Sequence, residues 1–241
     1  MSNSVSVSRF ESSMGSHSGK APAPAGDDLD ASSLWPRLAA GTLRASASYC
    51  TPSHCCLELQ RVIKGSPPSP KDVEALERIL LGAPQKVVAF ERRVSISTVG
   101  SRAGRCLQTF GLDGRVSAVP TSLVMLVQVH WRRSPIAGSE ISAAAHSDHS
   151  SIQVSLPRPD LGLDDLFSPA EREVIHLLVE GKTQLEMAQH RNTSPRTIAN
   201  QICSVYLKGR VSGRLALINS LIAPQAAPRE ARGSAAEVDA K

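Results

Sequence analysis

Residues 69–99, SPKDVEALERILLGAPQKVVAFERRVSISTV, and residues 168–198, SPAEREVIHLLVEGKTQLEMAQHRNTSPRTI, are two versions of one text set 99 positions apart without a gap. Ser69, Pro70, Glu74, Gly82, Gln85, Ala89, Arg92, Ser95 and Thr98 recur as Ser168, Pro169, Glu173, Gly181, Gln184, Ala188, Arg191, Ser194 and Thr197. The identities count for more than their number, because they fall at helix caps, turns and a close helix crossing, with apolar sites recurring between them. The chain therefore contains two copies of one helical unit.

In the second copy, Ser168-Pro169-Ala170-Glu171 supplies an N-cap serine, a proline at the first helical position and a glutamate placed to return a bond to the cap. Val174, Ile175, Leu177 and Leu178 form a buried stripe, and Gly181 can take the left-handed conformation that ends the helix. Thr183-Gln184-Leu185-Glu186 is a second capping box, opening a short helix through Met187 and Ala188; Asn192 suits the turn that follows. Ser194-Pro195 then caps a third helix whose Ile198, Ile202 and Val205 point inward, which leaves Arg196, Thr197, Ala199, Asn200, Gln201, Ser204 and Lys208 on or near the outer face. This is a helix-turn-helix pattern with the side chains a major-groove reader needs. Arg can pair with guanine O6 and N7, Asn and Gln with adenine N6 and N7, and Ser and Thr reach phosphates. Lys182, Thr183 and Ser194, at the helix starts where phosphate is favoured, join the candidate set.

On Ser-Pro-x-Glu-Arg-Glu-Val at 168–174, Glu180-Gly181-Lys182, Ala188, Ser194-Pro-Arg-Thr-Ile198 and Val211-Ser-Gly-Arg214, the stretch 168–222 resembles the four-helix DNA-binding domain of the LuxR/NarL/FixJ family, over about a quarter of the chain. The resemblance implies that the third helix enters the major groove, that Arg214 belongs to the DNA-binding set, and that a fourth helix over roughly 214–222 supports dimerisation through Leu215, Leu217, Ile218 and Leu221. It implies a transcriptional regulator with duplex DNA, a second copy of the chain and RNA polymerase as partners. Two positions depart from the family. Lys208-Gly209 replaces the usual Lys-Leu, which predicts a frayed helix end, and Gln201 stands where the family often has His, which alters base preference.

The first copy keeps the scaffold and weakens the reading face. Ser69-Pro70 caps a helix carrying Val73, Leu76, Ile79 and Leu80, and Gly82 ends it. Its third helix starts with Ser95-Ile96-Ser97-Thr98-Val99, but Gly100 and Gly104 follow inside it, each costing roughly 0.8–1 kcal/mol relative to Ala. Glycines four apart make a groove that suits a partner subunit or the neighbouring copy as well as DNA. Ser97, Thr98, Gly100, Ser101, Arg102, Gly104 and Arg105 are thus a secondary set, for DNA or for an interface. Val119 to Val129 is apolar nearly all round, the pattern of a helix buried on several sides.

Before each copy a hairpin is predicted. Thr42–Tyr49 and Cys55–Val62 flank Thr51-Pro52-Ser53-His54, after a short helix over Leu34–Ala40 closed by Gly41; Glu140–Ala145 and Ser151–Leu156 flank His146-Ser147-Asp148-His149. Two hairpins can pair into one four-stranded sheet, so the expected class is α+β, mainly α: two four-helix units, each behind a hairpin. The expected order is a disordered arm over 1–31, short helix and hairpin over 32–68, first copy over 69–132, linker and hairpin over 133–167, second copy over 168–223 and a disordered tail over 224–241.

Composition fits this reading. Residues 69–112 and 168–222 each carry seven Lys/Arg against four Asp/Glu, so both copies are basic within a chain of formal charge +5. Neither a signal sequence nor a membrane span is legible, and a cytoplasmic protein is expected. No nucleophile–base motif or phosphate-binding glycine loop occurs, so no catalysis is expected. The hairpin turns hold Cys50, His54, Cys55 and Cys56 in one case and His146, Asp148 and His149 in the other, the ligand types of a zinc site or thiol sensor but without a zinc spacing. Neither metal nor cofactor is expected. The competing functional class is a protein-interaction module that keeps the fold, has lost base reading and modulates another regulator.

Overall fold

The computed structural model describes residues 30–63, 65–133, 136–146, 149–159 and 166–222. The expected terminal arm and tail lie almost wholly outside them. Among the described residues are nine α-helices and one four-stranded antiparallel sheet, an α+β, mainly helical architecture. None of these helices is long and apolar enough to cross a membrane.

Helix α1 (Ala31–Ala39) is followed by β1 (Leu43–Cys50) and β2 (His54–Arg61), then by α2 (Pro70–Leu80), α3 (Gln85–Arg92), α4 (Ile96–Thr109) and α5 (Thr121–Arg132). The pattern then restarts with β3 (Glu140–His146) and β4 (His149–Pro157), followed by α6 (Pro169–Val179), α7 (Gln184–His190), α8 (Pro195–Lys208) and α9 (Arg214–Ile222). Helix α1 begins at Ala31, inside the segment expected to be an arm, because Ala31, Leu34, Trp35 and Leu38 are buried and pack on α5. Strand β3 forms despite its alanine run, held by its pairing with β4.

The local signals act as read. Ser69, Ser168, Thr183 and Ser194 each accept a backbone N–H from the third residue of their helix, and Ser168/Glu171 and Thr183/Glu186 close reciprocal capping boxes. The 99-residue offset extends to backbone dihedrals. Left-handed residues stand at Gly82 and Gly181, at Arg93 and Asn192, and at Gly111 and Arg210. Two arginines thus occupy a region that favours glycine or asparagine. The end of α8 is closed rather than frayed: Gly209 is the C-cap, and its N–H donates back to the Val205 carbonyl at 2.9 Å.

The sheet order is β1-β2-β4-β3. The second strand of each hairpin lies in the middle, and the two middle strands run antiparallel, so the hairpins are related by a local two-fold axis. Leu57 faces Val154, with Cys55 opposite Leu156 on one side and Leu59 opposite Ile152 on the other; these alternate positions form the buried face. Cys56 stands opposite Ser155, 99 residues away, with Sγ and Oγ 3.7 Å apart, so the offset of the helices reappears at the axis of the sheet.

Helix α5 lies on this buried face and is enclosed from Thr121 to Val129. It meets α1, α2, β2, β4 and α9. Trp35 and Trp131 both donate Nε1–H to Glu77 Oε1, at 2.8 and 2.9 Å, fixing α1 and α5 over α2. Leu217, Ile218, Leu221 and Ile222 of α9 are buried in the same core. Of the face expected to serve a homodimer, only Leu215 remains half-buried. Polar groups complete the junction: Gln128 of α5 donates to Asn219 of α9, whose own amide donates to the Leu80 and Leu215 carbonyls, each at 2.8 Å.

Truncating Leu217 to Ala should therefore remove core contacts within one chain and cost about 2–5 kcal/mol. The thermal midpoint should fall by an amount independent of protein concentration, as scanning calorimetry over a dilution series would measure; a concentration-dependent midpoint would place α9 in an intermolecular interface instead.

Candidate nucleic-acid interface

The third helix of the second copy, α8, is positioned by three contacts. Ile198 and Val205 are buried and Ile202 is half-buried against α6 and α7. Gln184 of α7 donates Nε2–H to the Pro195 carbonyl at 2.6 Å. Ser194 receives the Thr197 N–H at 3.1 Å, while its hydroxyl meets Thr197 Oγ1 at 2.9 Å, so both side chains belong to the cap as well as to the exposed surface.

On this scaffold the expected reading residues divide in two. Arg196, Thr197 and Asn200 are exposed on the first two turns of α8, with Lys182, Thr183 and Ser194 exposed beside them. Gln201, Ser204 and Arg214 are half-buried and engaged with other side chains or carbonyls, and Lys208, though exposed, is tied to an acid of α6. Gln201 accepts from Arg191, whose Nε donates to Glu173 at 2.8 Å. Ser204 Oγ and Lys208 Nζ both donate to Glu171, at 2.6 and 2.7 Å. Arg214 is half-buried, with Nε on the Leu178 carbonyl at 2.7 Å, Nη1 on the Val119 carbonyl at 2.8 Å and Nη2 towards Thr121 Oγ1 at 3.4 Å. Its guanidinium joins the two copies, and burial lowers its basicity. The expectation that Arg214 faces DNA is corrected: a half-buried cation with three carbonyl and hydroxyl acceptors is a structural tie.

Glu171 is the hub that the sequence reading assigned only to a cap. It accepts the Ser168 N–H at 2.8 Å, the Ser204 hydroxyl and the Lys208 ammonium, and these bonds, the last above all, hold its carboxyl at about 2. In the first copy Asp72 occupies the same helix position and receives Arg105 in bidentate fashion, Nε at 3.1 Å and Nη2 at 2.8 Å. Both copies thus tie the third residue of their first helix to their third helix, with Arg105 and Ser204 at equivalent positions. The Glu173–Arg191 pair likewise has its counterpart in Glu74–Arg92. All four of those residues are repeat identities, and that recurrence was the available signal for a structural pair.

In α4, Ser97 and Ser101 are exposed, Thr98 bonds back to Ser95 at 2.7 Å, and Arg102 is half-buried beside Glu74, Arg78 and Arg92. The glycine groove is already filled. A Cβ on Gly104 would stand 2.8 Å from the Gly114 carbonyl, so the chain's own loop after α4 occupies that side; Gly100 has Gln85 Oε1 as its neighbour. Gly104 is therefore buried, and the expectation that it contacts DNA or a partner is corrected. Among the described residues no group of three or more His, Cys, Asp or Glu is placed to hold a metal ion. Asp148 and the side chains of His146 and His149 lie outside the described residues.

The depressed carboxyl of Glu171 gives a signed expectation. Its contribution to stability is fully present above the ordinary glutamate range near 4.5 and is lost as pH falls towards about 2, because the unfolded chain then binds the proton first. Urea melts over that interval should show wild type losing more stability than Glu171→Gln, and equal losses would remove Glu171 from the acid response. No family model, curated protein or solved structure matches this chain.

Proposed function

We propose that the chain is a sequence-specific duplex-DNA-binding transcriptional regulator, a role that needs no catalysis, and that it reads the major groove with the first two turns of α8. One observation carries this reading. Arg196, Thr197 and Asn200 stay exposed, whereas the next polar residues along the same helix are tied to Glu171 or Arg191. A solvated helix has no need to sort its polar side chains in this way. The sorted face carries an arginine and an asparagine, the two residue types that recognise guanine and adenine edges bidentately, beside a capped helix N-terminus that favours phosphate. The resemblance of residues 168–222 to the LuxR/NarL/FixJ domain points the same way.

On this reading the fold is two helix-turn-helix units, each behind a hairpin, and α5 against α9 occupies the place of a dimer contact within one chain. A homodimer through α9 is then unnecessary. The interaction-module reading is weakened by the same packing, since both surfaces it relied on, the Gly100/Gly104 groove and the apolar fourth helices, are largely covered by the chain itself. RNA polymerase remains a partner that the resemblance alone suggests.

Selection from a random duplex library by purified full-length protein tests the proposal. An enriched motif should appear with wild type and disappear with the Arg196→Ala/Asn200→Ala variant. Each single change should weaken binding to that motif by about 10-fold or more and relax preference at one position. Affinity should fall steeply as salt rises, because phosphate contacts release counterions. Failure of folded protein to enrich any motif at low salt would overturn the reading.

A further inference from the structure

The first hairpin holds chemistry that DNA binding does not use. Thr51 N–H donates to the His54 carbonyl at 2.7 Å and closes the turn, which makes Cys50 and Cys55 the next cross-strand pair. That pair is of the non-hydrogen-bonded kind, where facing side chains stand closest and Cα atoms are about 4.5 Å apart. Such a spacing lies within the range that disulfide-linked residues adopt. The two sulfurs are in contact at 3.2 Å. The other cysteines are placed differently: Cys56 faces Ser155 on the opposite side of the sheet, Cys106 is buried in α4, and Cys203 is exposed on α8.

We propose that Cys50 and Cys55 form a reversible dithiol–disulfide couple, in which Cys50 is the thiol that attacks low-molecular-weight disulfides and Cys55 resolves the adduct. Access assigns the roles. Cys55 is fully buried beneath the sheet, whereas Cys50 at the strand end is half-buried and open to a reagent. Electrostatics agree. The hydrogen-bond contact with Cys55 lowers the Cys50 thiol, and the guanidinium charges of Arg158 and Arg214 add to this against burial and Glu180. The same contact and burial push Cys55 up, so it stays protonated while Cys50 ionises.

The chemistry balances as two exchanges. The Cys50 thiolate attacks one sulfur of an external disulfide, forming a mixed disulfide and releasing one thiolate. Cys55 then gives up its proton and attacks the Cys50 sulfur, breaking the mixed bond and releasing the second thiolate. Two electrons pass from the protein thiols to the external disulfide, and each departing thiolate takes a proton. The hairpin turn is strapped to the second copy: the Arg158 N–H donates to the Ser53 carbonyl at 2.7 Å, and its side chain reaches Thr51 O at 3.4 Å, His176 O at 2.9 Å and Glu180 at 3.2 Å. The couple therefore sits where the first hairpin meets the end of α6.

Full-length protein equilibrated with stepped ratios of reduced to oxidised glutathione, then alkylated and digested with trypsin, tests this. Residues 45–61 form one peptide carrying all three hairpin cysteines. The expected product has lost two hydrogens, has Cys50 and Cys55 protected from alkylation and Cys56 alkylated, and reverts with dithiothreitol. Cys55→Ser should accumulate glutathione on Cys50, and Cys50→Ser should leave Cys55 a free thiol. Alkylation of both Cys50 and Cys55 at the most oxidising ratio, or a bridge to Cys56 or Cys203 instead, would overturn the proposal. The wild-type map decides the matter even if a variant does not fold.

Discussion

Helix α5 has no polar face to offer water over its first nine residues, and the rest of the molecule is arranged to cover it. The sheet lies against it, α1 and α2 flank it, and α9 arrives from the second copy. Neither copy could close this core alone: the first would leave α5 bare where α9 packs, and the second would leave the buried face of α9 bare. Apolar surface seeking burial thus welds two similar units into one body. The polar groups at the weld are each given partners, Asn219 on the Leu80 carbonyl and Arg214 on the Val119 carbonyl, because an unpaired polar group there would cost more than the contact returns.

The same junction explains the division of labour along α8. Its C-terminal half is held by acids that begin the first helix of its own unit, Glu171 directly and Glu173 through Arg191. Its N-terminal half is held by its cap and its buried isoleucine, which leaves the intervening side chains outward. Rigid support beneath a helix with a free polar edge is what a recognition element requires, since residues that are already oriented lose less entropy on binding. In α4 the counterpart edge carries serines and a half-buried arginine, and its other side is closed by Gly114. The two copies share a scaffold without sharing a surface.

Repeat identities had two meanings that the text alone did not separate. Ser168, Thr183 and Ser194 act on the backbone within a few residues, so their role was visible locally. Glu74, Arg92, Glu173 and Arg191 are equally regular, but they act between helices, and their recurrence marked a structural pair rather than a binding face. Gln201, Ser204 and Lys208 have the types and the helical phase of reading residues; only the approach of α6 and Arg191 engages them within the unit.

The sequence by itself determined the helices, their caps and turns, the two hairpins and the 99-residue period, because these follow from hydrogen bonds and dihedral preferences within a few positions. It also set which helix in the second copy carries an exposed polar edge. Only the tertiary structure decided that the fourth helices meet inside one chain, that Arg214 and Gly104 are occupied by the protein's own carbonyls, and that Cys50 touches Cys55. The Arg214 tie depends on surfaces that come together across 36 residues of chain to Leu178 and 95 to Val119, where periodicity carries no information about the partner; the Gly104 and Cys50 contacts are nearer in sequence but depend on how a loop and a hairpin register close.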